Sequence, residues 1–218
     1  MSGIAQDYIV DYIRNLICDE VGILKDLEDF ADREHVPIVQ KEVANYLKCM
    51  VTIQKPKKIL ELGTAIGYSA ILMELASKGQ CHITTIERDK NMIDIAKQNI
   101  IKSGFEDKIT VVEGDCLEVL PTISGEYDLI FMDAGKGHYN DFLPYCLKLL
   151  KKQGIIIADN VLFRGMVASN ELVQRRKITI VKRMRSYLEM VSNDKNLITS
   201  VIPMGDGIAI TTRRDTDD

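Results

Sequence analysis

Two apolar runs constrain this chain more than any other feature: Tyr127-Asp128-Leu129-Ile130-Phe131-Met132-Asp133 and Gly154-Ile155-Ile156-Ile157-Ala158-Asp159-Asn160. Each is bounded by a turn signal, and each ends in a carboxylate that an apolar strand interior does not tolerate. Both therefore read as buried strands whose polar groups gather at the strand ends. In a parallel sheet the carboxyl ends of the strands line one edge, where ligands bind. Asp133, Asp159 and Asn160 then converge as hard oxygen donors with Lys136 beside them. That set suits a magnesium-type divalent cation with a basic group at its side.

Around these runs, from residue 57 to 213, strand and helix patterns alternate. Strands are expected over Lys58 to Leu62, Cys81 to Glu87, Ile109 to Glu113, Tyr127 to Asp133 and Gly154 to Ala158. Helices are expected over Tyr68 to Ser77, Asn91 to Ser103, near Leu117, over Asn140 to Leu150, and as a long polar helix from after Gly165 to about Met190. Such alternation argues for a parallel α/β sheet covered on both faces. Two last strands, Leu197 to Pro203 and Gly207 to Thr212, are joined by Met204-Gly205-Asp206, a link too short for a parallel crossover, so one of them must be reversed.

Before the first strand, residues 1–52 form a helical appendage, which Gly22 and Pro37 divide into about three helices. Packing or dimer contact is one reading of it. A lid over a ligand, formed by His35-Val36-Pro37-Ile38, is the other.

Length and composition agree with one domain over residues 1–218: 46% of the 218 residues are hydrophobic, enough for a sizeable core. The 28 basic and 32 acidic residues leave a net charge of −4, so average charge favours no nucleic-acid partner, although it can hide a local patch. Cys18, Cys49, Cys81, Cys116 and Cys146 lack metal or redox spacing and read as reduced, buried thiols. No uncharged stretch approaches the ~20 residues needed to span a bilayer, and a cytoplasmic location is expected.

The first strand runs into Glu61-Leu62-Gly63-Thr64-Ala65-Ile66-Gly67-Tyr68-Ser69. Gly63 and Gly67 let the backbone turn sharply and approach a ligand at a helix N-terminus. A dinucleotide site prefers G-x-G-x-x-G, whose middle glycine clears room for a pyrophosphate, and Thr64-Ala65-Ile66 fills that room here. The second strand ends in Glu87, placed to accept both hydroxyls of a ribose. Together these features suggest an adenosine that carries an amino acid in place of a diphosphate.

With Gly114-Asp115-Cys116 after the third strand and the reversed last strand, the pattern resembles the class I S-adenosylmethionine-dependent methyltransferases. Their Rossmann-like fold has a seven-stranded, mostly parallel sheet with an antiparallel last strand. Asp133-Ala134-Gly135-Lys136, Asp159-Asn160 and Pro203-Met204-Gly205-Asp206-Gly207 narrow the resemblance to the metal-dependent O-methyltransferases that include the catechol and caffeoyl-CoA enzymes. The similarity runs from about Pro37 to Arg213. It implies S-adenosylmethionine held by Ile38, Gly63, Thr64, Ser69, Glu87, Asp115, Cys116 and Asp133. It also implies Mg2+ or another divalent cation on Asp133, Asp159 and Asn160, with Lys136 as the catalytic base or oxyanion partner. A homodimer is expected from the same family. One departure concerns specificity: catechol enzymes carry a bulky aromatic wall where this chain has Ala134-Gly135, so a free catechol is disfavoured as substrate.

Arg164, Arg175, Arg176, Lys177, Lys182, Arg183 and Arg185 form a basic strip in a chain that is acidic overall, with Glu171 the one acidic residue among them. A solvated helix face is the plain reading. Phosphates of RNA or of a coenzyme A ester are the functional ones. In 5-hydroxyuridine a hydroxyl neighbours a carbonyl, which makes it a chelating pair like that of a catechol, and an unstacked loop base can enter a pocket. The whole pattern resembles the bacterial tRNA 5-hydroxyuridine methyltransferases, which implies the tRNA anticodon loop as partner and 5-methoxyuridine as product. A small-molecule methyltransferase for catechols or hydroxycinnamoyl esters is the alternative. His138 and Tyr139 are expected to serve as a capping residue and as packing.

Overall fold

Odd and even strand positions feed two separate cores. Ile59, Leu129, Phe131, Ile155 and Ile157 pack on one face, and Leu60, Leu62, Ile130, Met132 and Ile156 on the other. Side chains alternate across a strand, so strands with apolar residues at successive positions must be covered on both faces. Three layers follow. The structure, a computed structural model, describes residues 4–214; Met1 to Gly3 and the tail beyond Arg214 lie outside the described residues.

The strands are β1 (Lys58–Leu62), β2 (His82–Glu87), β3 (Ile109–Glu113), β4 (Tyr127–Met132), β5 (Leu150–Ala158), β6 (Leu197–Ile202) and β7 (Ile208–Arg213). They form one seven-stranded sheet in the order β3-β2-β1-β4-β5-β7-β6. Pairs from β3 through β5 are parallel, and β7 runs antiparallel to both β5 and β6. This is the Rossmann-like, mostly parallel arrangement with a reversed last strand that the sequence pattern predicts.

On one face lie α2 (Ile23–Glu34), α3 (Lys41–Gln54), α4 (Tyr68–Ala76) and α5 (Lys90–Ser103); on the other lie α6 (Cys116–Val119), α7 (Tyr139–Leu149) and α8 (Ile178–Asn193). The appendage has three helices, as expected, beginning with α1 (Asp7–Leu16); the first break falls at Gly22, and Pro37 lies within the second break, 35–40, and does not start α3. Only Val10 of α1 is buried, so α1 is held mainly by polar bonds. Arg14 Nε donates to Glu42 Oε2 at 2.7 Å, and Arg14 Nη2 donates to Gln40 Oε1 at 2.9 Å.

Two expectations need correction. The long polar helix starts at Ile178, not after Gly165, because residues 160–177 are turns and two short 3-10 segments. Arg185 donates to the carbonyls of Met166 and Val167 in this stretch, and the chain before them turns at Phe163, Arg164 and Gly165, all with positive φ. The cysteines divide also: Cys81, Cys116 and Cys146 are buried, whereas Cys18 and Cys49 are exposed, all five being free thiols. Cys18 lies in the loop after α1, and Cys49 points away from the buried face of α3, which is made by Val43, Leu47 and Val51.

Register decides where the functional groups stand. Leu62 is paired with Ile86 on one side and Met132 on the other, and Met132 is paired with Ala158. The residues that follow these partners, Glu87, Gly63, Asp133 and Asp159, therefore form one row along the carboxyl edge. The strand order reverses between β1 and β4 in the middle of that row, the place where an open α/β sheet offers a crevice.

The turn between β6 and β7 is pressed against the loop after β5. Val161 N donates to Gly207 O at 2.9 Å, and Leu162 N donates to Asp206 O at 3.0 Å. Gly207 has φ +92°, and a Cβ there would stand 2.5 Å from Leu162 Cγ. Gly207→Ala is expected to cost about 1–3 kcal/mol through strain and displacement of this loop, read as a lower urea midpoint. An unchanged midpoint would show that the two loops are not held together in this way.

Candidate active site

A cavity of about 810 Å³ opens along the row of strand ends. Of the residues singled out from the sequence, Ile38, Gly63, Thr64, Ser69 and Glu87 line one part of it. Asp133, Lys136, Asp159 and Asn160 line the other, so the expected cation groups share a single space with most of the expected cofactor groups.

The glycine turn is close-packed. Gly63, at φ +99°, lies against the end of β4, where an added Cβ would be 3.0 Å from Ala134 Cβ and 3.2 Å from Asp133 O. Gly67, at φ +85°, precedes the first residue of α4 and aims that helix N-terminus at the cavity. Glu87 is fixed by backbone donors: Oε2 accepts from Ala65 N at 2.9 Å, and Oε1 accepts from Arg88 N and Asp89 N, both at 2.9 Å.

Beneath the turn lies a buried relay. Thr85 donates to Glu61 Oε2 at 2.5 Å, which leaves Thr64 to donate to Thr85 Oγ1 at 2.6 Å. Glu61 Oε1 completes no hydrogen bond. Burial pushes the Glu61 carboxyl up to about 7, against the opposing effect of the Ser69 and Thr85 hydroxyls.

At the other end, burial raises the pKa of both Asp133 and Asp159, and for Asp133 the repulsion from Asp159 adds to it. Lys136 opposes the shift at both. Asn160 takes a left-handed conformation, φ +58°, and its N–H reaches Asp159 Oδ1 at 2.6 Å. Asparagine tolerates that conformation better than most side chains do. Among the described residues no three His, Cys, Asp or Glu side chains gather as a metal cluster. Two carboxylates and a carboxamide do share this cavity, and like charges held this close are the condition that a hard divalent cation relieves. The donor set fits such an ion.

Several other expected residues stand elsewhere. Asp115 caps α6 by accepting from Leu117 N at 2.9 Å and pairs with Arg88 Nη1 at 2.9 Å; neither it nor the buried Cys116 lines the cavity. The basic strip divides. Arg164, Arg176 and Lys177 line the cavity, while Arg175, Lys182, Arg183 and Arg185 do not. Arg183 is paired with Asp141. Arg185 donates to the carbonyls of Val167 and Met166 and to Asn170 Oδ1, which stitches the loop 160–177 to α8.

Gln40, Tyr68, Arg88, Phe163 and Asp206 also line the cavity, though nothing in the pattern singled them out as site residues. Asp206 is the informative omission. It sits between two glycines in Gly205-Asp206-Gly207, is buried, and accepts from Arg164 N, which bends the loop after β5 back over the cavity. A carboxylate enclosed by glycines was the available signal. Tyr68 donates to Glu28 Oε1 at 2.8 Å, joining the cavity wall to α2.

The proton on Glu61 has a measurable consequence. In the unfolded chain Glu61 ionises near the ordinary value of 4.5, and in the folded protein near 7, so between these pH values the folded state holds the extra proton. Stability of the ligand-free protein should therefore decline as pH rises through that window, and Glu61→Gln should flatten the decline in urea unfolding measured at several pH values. An identical slope in the variant would place the effect elsewhere.

Comparison with known proteins adds to this geometry. A catechol O-methyltransferase of Niastella koreensis is 32% identical over 133 residues, covering 59% of this chain and 60% of that protein. A Staphylococcus aureus structure assigned provisionally to the caffeoyl-CoA O-methyltransferases is 34% identical, with a TM-score of 0.84, over 95% of this chain and 98% of that one. An O-methyltransferase of Bacillus cereus, solved in complex with SAH, shares the fold at 24% identity and a TM-score of 0.83, over 95% and 97% of the two chains. The sequence profile of the O-methyltransferase family matches residues 15–214. With nearly the whole described chain matched, this protein belongs to the O-methyltransferase family.

Proposed function

We propose that the protein transfers a methyl group from S-adenosylmethionine to one of two neighbouring oxygens of its substrate, in a reaction that depends on Mg2+ or a similar divalent cation. The observation that carries this reading is the single cavity shared by the Gly63–Gly67 turn with Glu87 and by the set Asp133, Asp159, Asn160 and Lys136, of which Asp159 is buried and the others half-buried. When bound, S-adenosylmethionine supplies a methyl group on a positive sulfur, which keeps the bonding pair as the substrate oxygen takes the carbon. A divalent cation supplies charge that favours the ionised substrate hydroxyl at neutral pH.

The chain's own residues do the rest. Glu87, already held by three backbone N–H groups, presents its remaining lone pairs to ribose hydroxyls. Asp133 and Asp159 hold positive charge at the strand ends, and Asn160 adds a neutral oxygen. Lys136 receives the hydroxyl proton or stabilises the oxyanion electrostatically. Fixing the reacting oxygen in line with the methyl carbon contributes through orientation, for which effective molarities reach about 10⁵ M or more.

The substrate we propose is 5-hydroxyuridine at the wobble position of tRNA. Arg164, Arg176 and Lys177 at the cavity wall supply positive charge for phosphates, and the small Ala134-Gly135 pair leaves room for a base. A small catechol or hydroxycinnamoyl ester is the second reading, favoured by what the relatives from Niastella koreensis and Staphylococcus aureus are named for. We also propose a homodimer formed through α1, whose Tyr8, Tyr12 and Leu16 are each at least 66% exposed.

Labelled S-adenosylmethionine with Mg2+ should label hypomodified tRNA, and label in caffeic derivatives but none in tRNA would refute the RNA substrate. Chelation of the divalent cation should abolish transfer. Lys136→Met should reduce kcat by about 10²–10⁴-fold with the protein still folded; an undiminished kcat would remove Lys136 from the chemistry. In light scattering the protein should show twice the mass of one chain, and Tyr12→Asp should halve it.

A further inference from the structure

Tyr139 stands between the two strand ends that carry the proposed cation donors. It is fully buried at the start of α7, and its hydroxyl oxygen lies 2.9 Å from Met132 O and 3.0 Å from Asp159 O. Met132 immediately precedes Asp133, so one hydroxyl is joined to the backbone at both carboxylates. The ladder holds the same backbone from the other side: Asp133 N donates to Leu62 O at 3.0 Å, and Asp159 N donates to Met132 O at 3.0 Å. Past these bonds the two chains diverge, one into Ala134-Gly135 and the other into the left-handed Asn160. The phenol closes the gap where the strands separate.

Its ring has little freedom. Tyr187 meets it edge-on, with ring centroids 5.4 Å apart at 79°, and Phe142 lies 6.4 Å away at 40°. A clamped ring fixes where its oxygen stands. The Tyr187 hydroxyl, by contrast, is buried with no hydrogen-bond partner, so Tyr187 contributes shape and no polar bond here.

We propose that Tyr139 is a positioning residue for the cation site, its hydroxyl setting the separation of the Asp133 and Asp159 backbones and hence the spacing of their carboxylates. The inference rests on reading Asp133, Asp159 and Asn160 as cation donors. Two neighbouring carboxylates, one buried and one half-buried, repel each other, and strand ends free to part would do so whenever no cation is present. The phenol holds the pair at the spacing the ion requires, so binding does not have to draw them together. Outer partners that orient metal-binding groups typically change affinity by about 10–100-fold when removed.

Calorimetric titration of the full-length, cofactor-free protein with Mn2+ separates the possibilities. Wild type should bind one Mn2+ per chain; no binding would overturn both the cation reading and this inference. Tyr139→Phe keeps the ring and removes only the oxygen, and should weaken Mn2+ binding about 10–100-fold. Its metal-free unfolding midpoint and its affinity for S-adenosylhomocysteine without metal should match wild type, and its kcat should recover at saturating Mn2+. Tyr187→Phe should leave Mn2+ affinity unchanged. Wild-type affinity in Tyr139→Phe, an equal loss in Tyr187→Phe, or a collapse of the metal-free midpoint would each overturn the positioning role.

Discussion

Two carboxylates of like charge, the half-buried Asp133 and the buried Asp159, stand at the ends of adjacent strands, and much of the surrounding structure is arranged to keep them there. Leaving such a pair uncompensated in a low-dielectric interior is costly, so neutralising groups have to be near. Lys136 acts on both from the β4–α7 loop, and Asn160 N bonds Asp159 directly. The buried Asp206 raises the density of negative charge further, and its own bond to Arg164 N ties it to the same loop. This concentration of acidic groups is what supports the proposed cation.

Much of the fold was legible because each strand states its own burial. The runs in β1, β4 and β5 are apolar at consecutive positions, and that pattern requires cover on both faces. Once the strands are known, the row Glu87, Gly63, Asp133, Asp159 follows from register, which is why these four cavity-lining residues could be named beforehand. The three-residue turn Met204-Gly205-Asp206 likewise implied an antiparallel pair, and β6 and β7 form it.

What could not be read depends on partners far along the chain. Seven basic residues look alike in sequence, but Arg183 meets Asp141 across 42 positions, and Arg185 is spent on loop carbonyls. Charge counting cannot separate such structural arginines from Arg164, Arg176 and Lys177, which line the cavity. The beginning of α8 was hidden for a different reason: Arg175, Arg176 and Lys177 have good helix propensity, yet they form a 3-10 turn ahead of the α-helix. Asp206 was concealed by distance, since its place in the site depends on a loop 42 residues earlier.

The position of β7 in the sheet bears on how the protein is made. It is the last strand in sequence, yet it lies inside the sheet, between β5 and β6. A chain still emerging from synthesis and ending before Gly205 would have β5 as an open edge, with β6 lacking its only neighbour. It would also lack Asp206, and with it the clasp on the loop that carries Arg164. The cavity wall is thus completed by the final insertion, and until then the open edge of β5 is a surface available for mispairing.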